Sequence, residues 1–340
     1  MATRRFSRGH SEHLICSDCT GQGTVVWSYR TQTYWYTGDT DRPNFFGEDE
    51  EDDDDDDDDD DLLSHEYDVT KVYPDRFLHT PAEFEGGETL YLGVELEVEA
   101  DSSFRKAALF AKKVLAGYAI LKSDGSLDDE LGFEIVSVPA TKDVHVPSRR
   151  NQYQSFWNTF FDGASDLMNS WYGTDHRCGM HVHLSRRAIS HFTLGRMLVF
   201  VNERKNLDFI CQVAGRAPNK YHDYYPKKIL PRGTQYGWNG GGRYEAINLT
   251  NLHTYELRIF RGNLSKPGFM KNIEFSHALV MFCREASMRQ LESKHFIQWM
   301  GEPVQRAEYP FLTAWMVRQK MLGGNTVRFQ GNQSQIFVAV

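Results

Sequence analysis

The chain has 340 residues, 40% of them hydrophobic and 13% aromatic, the composition of a folded protein long enough for one large domain with appendages. Its net charge of −9 averages two unlike parts: residues 48–61 carry fourteen carboxylates and no cation, and everything else sums to +5. A body that mildly basic suits an anionic small molecule and argues against a nucleic-acid surface, and no apolar run approaches the roughly 18 residues of a membrane span.

The first 47 residues differ from the rest. Cys16-Ser17-Asp18-Cys19-Thr20-Gly21-Gln22-Gly23 is a C-x-x-C-x-G-x-G knuckle, in which the glycines permit a tight turn and two thiolates at this spacing supply half a zinc site. It resembles one zinc knuckle of the cysteine-rich domain of J-domain co-chaperones, where knuckles work in pairs; no second copy occurs here. His10 and His13 are near enough in sequence to complete four ligands, and a flexible tail with two incidental thiols is the alternative. Val25–Tyr29 and Tyr34–Tyr36 are expected to pair as a small hairpin. Asp52–Asp61 cannot bury apolar surface and repels itself, so it is expected to be a disordered linker; a nucleic-acid mimic or a lid over a basic cleft is the sharper alternative. The expected organisation is an appendage over 1–47, an acidic linker over 48–66 and a main domain over 67–340. Five cysteines, an odd number, and a polar N-terminus without a hydrophobic leader suggest a reducing, cytoplasmic setting.

The main domain opens on Leu92-Gly93-Val94-Glu95-Leu96-Glu97-Val98-Glu99, whose strict alternation is the period of a strand with three carboxylates on one face. Ser103–Ala116 has helical spacing and Gly117 stops it. Ala119–Lys122 runs into an Asp124-Gly125 turn, and Gly132–Ser137 returns as a second strand. Gln152–Trp171 is expected to be a helix with an aromatic core face, Cys178–Ser185 a strand, and Thr193–Ala214 a helix capped by Thr193. Residues 215–242 read as a long loop; strands are expected over Tyr244–Thr250 and Thr254–Arg261, and a helix over Phe269–Ser287, with a helical tail around Pro303 and Pro310. Strands joined by short turns and interspersed with helices point to an α+β fold, an antiparallel sheet covered by helices. No Walker loop or dinucleotide fingerprint is present.

Several strands carry acidic or imidazole side chains at same-face positions. Glu95, Glu97 and Glu99 share one; Glu134 sits mid-strand among Phe133, Ile135 and Val136, where a charge is costly unless paired or coordinated; His181 and His183 share another; Glu256 and Arg258 share a fourth. Carboxylates with imidazole suit Mg²⁺ or Mn²⁺, and arginines complement such ions at phosphate oxygens.

In order along the chain, G-x-E-x-E, D-G-S-L followed by G-x-E-I-V-S, C-G-x-H-V-H-x-S, and R-x-x-A-I-N…T-x-E-x-R-x-F resemble the motifs of the amidoligase family. Its members are bacterial and bacteriophage carboxylate–amine ligases of the glutamine synthetase and glutamate–cysteine ligase superfamily. The likeness covers roughly residues 90–300. It implies a glutamine synthetase-like catalytic domain, residing in the host cytoplasm if the chain is viral, that binds ATP and Mg²⁺ or Mn²⁺. A substrate carboxylate would take the γ-phosphoryl group and an amine would displace phosphate from the acyl phosphate. By motif position Glu97 and Glu134 would serve one metal, and Glu95, His181 and Glu256 the other. His183 would lie near the γ-phosphate, with Arg258 and Arg243 as cations for the carboxylate or phosphoryl group. Asp124 and Ser126 would shape a turn, and Glu99 falls outside the core motif.

Gly237–Gly242, just before Arg243, is a candidate cover over the reactive acyl phosphate, and Tyr221, Tyr224, Tyr225 and Tyr236 are candidates for the acceptor site. The partners implied are an amino-acid or peptide carboxylate and an amine. The motif residues specify neither the substrate pair nor the oligomeric state. Two alternatives remain from the residues: a metal-dependent amide or ester hydrolase using His181 and His183 with Glu134 as base, and a non-catalytic binding module on the same fold.

Overall fold

The computed structural model describes residues 62–66, 68–74, 76–128, 130–147, 155–170, 178–216 and 245–324, together with the backbone of two N-terminal strands. Those strands, β1 (Gly23–Ser28) and β2 (Thr33–Asp39), pair antiparallel with Val26 opposite Trp35, the hairpin expected from the sequence. They belong to a compact unit over Met1–Asp57; a second unit spans Asp58–Val340.

The second unit is built on one seven-stranded antiparallel sheet. Its strands are β3 (Leu92–Ala100), β4 (Ala119–Lys122), β5 (Gly132–Ser137), β6 (Met168–Asn169), β7 (Gly179–Ser185), β8 (Ile247–Asn248) and β9 (Thr254–Arg261). The order across the sheet is β4-β5-β3-β7-β9-β8, with β6 pairing the end of β3. The α+β expectation therefore holds at the level of class. Alternation decides which face each residue takes: Val94, Leu96 and Val98 of β3 are fully buried on one face, which turns Glu95 and Glu97 to the other.

The helices are α1 (Val69–Val72), α2 (Phe104–Val114), α3 (Lys142–His145), α4 (Trp157–Gly163), α5 (His191–Asn202), α6 (Leu207–Ala214), α7 (Lys266–Glu285), α8 (Ser293–Met300), α9 (Pro303–Glu308) and α10 (Pro310–Arg318). Ser103 caps α2 by accepting the Lys106 N–H at 3.3 Å, and Gly117, at φ +74°, turns the chain back into β4. The buried face of α2 is Ala107, Ala108 and Ala111, small enough to let it lie close on β3, β4 and β5. α7 is the hub on which α3, α5, α6 and α10 pack. Pro303 and Pro310 each open a helix, where the missing N–H costs nothing.

Three expectations need correction. Of the helix expected over 152–171, the described residues 155–170 hold α4, followed by a 3-10 turn and β6. A side chain at Gly163 would press on the Phe110 ring at 2.9 Å, and the next residues are claimed by β3, with Glu99 opposite Asn169. Its aromatic face is core as expected, with the Trp157 and Phe269 rings 4.8 Å apart. The single helix expected over 193–214 is two, α5 and α6, and Ser190 rather than Thr193 is the cap. The break is anchored by fully buried Asn206, which donates to Phe200 O at 2.9 Å and Leu291 O at 3.0 Å and accepts the Ser293 N–H at 2.8 Å. Of the strand expected over 244–250, the described residues 245–250 hold the two-residue β8. Leu62 joins the core, and the Ser64 N–H donates to Leu121 O at 2.7 Å. Among the described residues, no helix is long and apolar enough to cross a membrane.

Candidate functional site

Strand register collects the polar residues into three adjacent rows. Lys122 of β4 faces Glu134 of β5, which faces Glu97 of β3. One pleat along, Glu95 of β3 faces His181 of β7. One further, His183 faces Glu256 of β9, which faces Asn248 of β8. Directly opposed residues hold their Cβ atoms about 5 Å apart, so six strands converge on one patch. The register shifts between Met180 and Val182, which pair with Phe260 and Leu257, so Arg258 and Ile259 both fall opposite His181. That bulge brings Arg258 beside the imidazole, a usual employment of bulges near functional sites.

The contacts are close. His181 Nδ1 lies 3.3 Å from Glu95 Oε2 and 3.4 Å from Glu256 Oε1, and its Nε2 lies 3.6 Å from Glu97 Oε1. His183 Nδ1 meets Thr254 Oγ1 at 2.9 Å, while its Nε2 is 3.0 Å from Glu95 Oε1 but off the line that a hydrogen bond needs. Arg258 Nη1 donates to Glu256 Oε1, and Asn248 and Asn251 donate to Glu256 Oε2 at 2.7 and 3.1 Å. The Gly179 N–H donates to Glu97 Oε2. A Cβ at Gly179 would stand 3.3 Å from both that oxygen and His181 Nε2, so the glycine admits the carboxylate. Lys122 Nζ is 3.2 Å from Glu134 Oε2. Glu97, Glu134, His181 and Glu256 are each at most 6% exposed.

Among the described residues, three groups of side chains have ligand atoms within 4.8 Å of one another: Glu95 with Glu134 and His181, Glu95 with His183 and Glu256, and Glu97 with Asp124 and Glu134. Glu95 and Glu134 each serve two groups, so the cation positions they could define are neighbours. Oxygen donors with one imidazole each, or oxygens alone, fit Mg²⁺ or Mn²⁺ better than a thiolate-seeking ion. His183 Nε2, buried and without a hydrogen bond, lies 3.0 Å from Glu95 Oε1, and both residues belong to the second group.

Electrostatics fit the same conclusion. Burial pushes the Glu134 carboxyl up, and the charge of Glu95 adds to it, against Lys122 and His181. Burial also raises Glu97, with Asp124 contributing and His181 opposing. Burial would raise Glu95 too, but His183 and His181 outweigh it and hold the carboxyl well below the usual range. Burial opposes charge on His183, yet Glu95, Glu256 and Glu134 overcome it and push the imidazole up to about 9. For His181 burial is likewise outweighed, chiefly by Glu95 and Glu97, and its pKa rises. Crowded carboxylates are thus neutralised by protons and imidazolium; a divalent cation neutralises them better because it brings two charges to the same oxygens.

Of the residues singled out in sequence, Glu95, Glu97, Glu134, His181, His183, Glu256 and Arg258 come together. Glu99 stands outside all three groups, half-buried beside Asn169. Asp124 does shape its turn, accepting the Ser126 N–H at 2.9 Å, and also joins Glu97 and Glu134, a role the turn motif alone does not reveal. Lys122 and Asn251 are not among the residues singled out, and Asn248 and Thr254 enter only as motif letters; what brings them to the site is strand pairing and the β8–β9 turn, which sequence does not carry. Cys178 is buried, in keeping with a packing role. Cys16, Cys19, Arg243, Gly237–Gly242 and Tyr221, Tyr224, Tyr225 and Tyr236 lie outside the described residues.

No family model and no curated protein matches this chain.

Proposed function

We propose that the chain is an ATP-dependent carboxylate–amine ligase with a glutamine synthetase-like catalytic sheet, as its resemblance to the amidoligases implies. The observation that carries the reading is the convergence of five carboxylates, two imidazoles and an arginine on one face, with Glu95 and Glu134 shared between neighbouring groups. Divalent ions held there would supply the positive charge that phosphoryl transfer needs at the phosphate oxygens. Glu97, Asp124 and Glu134 would hold one ion; Glu95 with Glu256 and an imidazole would hold another. The chain's own part is orientation and charge. Asn248 and Asn251 fix Glu256, Thr254 fixes His183, and the Gly179 N–H fixes Glu97, so the ligands are arranged before substrate arrives. Arg258, tied to Glu256, presents a permanent cation to a carboxylate or phosphoryl group.

The hydrolase alternative leaves Glu256 and Arg258 without a task. ATP consumption with release of ADP and phosphate, dependent on Mg²⁺ and on an amine, is the expected activity. Broad mixtures of amino acids, peptides and polyamines should elicit it, and Glu256→Gln should lower it by about a hundredfold or more. If no mixture elicits it and ATP does not bind, the ligase reading fails; turnover of an amide or ester without ATP favours the hydrolase.

A further inference from the structure

Lys122 has no counterpart among the roles given above, yet it lies inside the site. It ends β4 directly opposite Glu134, the β4–β5 register turns it to the ligand face, and its ammonium stands 3.2 Å from Glu134 Oε2. Both side chains are more than nine-tenths buried, at 9% and 6% exposure. Glu134, like Glu95, belongs to two of the three ligand groups, and in one of them it stands with Glu97 and Asp124. An ammonium that close brings a fixed positive charge to three crowded carboxylates in a poorly solvated site.

We propose that Lys122 is a tethered cation that holds Glu134 in the ion-free protein, and that a divalent ion enters the Glu97–Asp124–Glu134 group only by displacing it. This inference rests on the reading that the face binds divalent ions. Two features favour Lys for such a task. An ammonium is a compact, strongly hydrated point charge on a flexible stem, so it releases a carboxylate to water at small cost. A guanidinium in a fork, as Arg258 is on Glu256, is the less exchangeable partner. Lys122 would thereby set the affinity of this group against the Glu95–His183–Glu256 group and make their filling separable in concentration.

The test is Mn²⁺ titration of the full chain, followed by the loss of the free-ion paramagnetic resonance signal and by calorimetry. The wild type is expected to show two classes of site, of which Asp124→Asn abolishes one. In Lys122→Gln that same class should tighten by about tenfold or more while the other stays within about twofold, and Lys122→Arg, whose guanidinium exchanges less readily, should bind that class no more tightly than the wild type. Unchanged or weaker binding in Lys122→Gln overturns the proposal, as does tightening of the class that Asp124→Asn leaves intact. A measurement on the unmutated chain guards against a variant that does not fold. Acetylation of Lys122, read by mass spectrometry, should quicken several-fold across the Mn²⁺ range that fills the Asp124-dependent class, and a constant rate overturns the proposal. If the wild type binds no Mn²⁺ at all, the metal-site reading itself falls; if it binds Mn²⁺ but Lys122 has no influence, only the present inference does.

Discussion

A single histidine shows how partners decide a protonation state. His145 is fully buried, its Nδ1 accepts the Trp157 indole N–H at 3.1 Å, and its Nε2 donates to Leu92 O at 2.9 Å. Indole nitrogen only donates, so the ring must be neutral with the proton on Nε2. Burial, partly offset by the Leu92 carbonyl, lowers its pKa from 6.5 to about 4. The unfolded chain binds a proton near 6.5 and the folded chain only near 4, so acid favours unfolding between those values. Stability present above pH 6.5 should fall by about 3 kcal/mol as pH drops to 4. Urea midpoints measured across that range in wild type and His145→Gln should diverge, the wild type showing the steeper decline. Parallel curves would mean that His145 is charged in the folded state. Nothing in the local sequence Lys142-Asp143-Val144-His145 announces this, because both partners lie outside the segment.

Among the elements, the end of β9 lies close against Ser170 and Cys178. Gly262 follows β9, and a Cβ there would lie 2.1 Å from Ser170 O and 2.2 Å from Ser170 Oγ, with Cys178 O at 3.0 Å. Ser170 in turn donates its hydroxyl to Glu97 O at 2.6 Å, so the contact also braces the β3 backbone beneath a ligand. Two of the three obstacles are backbone oxygens, which cannot rotate away. Gly262→Ala should therefore cost about 2–4 kcal/mol by displacing the strand, measurable as a lowered urea midpoint. A change below about 0.5 kcal/mol would show that the strand end is free to shift. The elements with clean alternation or clean caps, β3 and α2, were legible in the sequence. The division of α5 from α6 was not, since Asn206 is pinned by Leu291 and Ser293, more than eighty positions away.

For the molecule as a whole, ligands drawn from β3, β5, β7, β9 and the turn after β4 exist as a group only when the sheet is assembled. An ion that binds the group binds the folded state alone and stabilises it by mass action. Thermal unfolding with Mg²⁺ or Mn²⁺ at about a hundred times the dissociation constant should gain about 2.7 kcal/mol and raise the midpoint. Glu97→Gln, which removes a ligand charge, should reduce the gain. An unchanged midpoint for the wild type would mean that the face does not hold these ions. Charge is likewise a property of the whole chain: the fourteen carboxylates of residues 48–61 hide a body that sums to +5. That difference bears on encounter with anionic substrates more than on the fold.

Alternation along each strand already places Glu95 with Glu97, His181 with His183, and Glu256 with Arg258 on shared faces. A period of two is local, set by the pleat of one strand. That these pairs meet, that Asp124 is more than a turn former, and that Lys122 stands against Glu134 follows from how the strands assemble. Cross-strand register depends on turns, a bulge at His181 and packing against helices distant in sequence, and none of these is written in the period of any one strand.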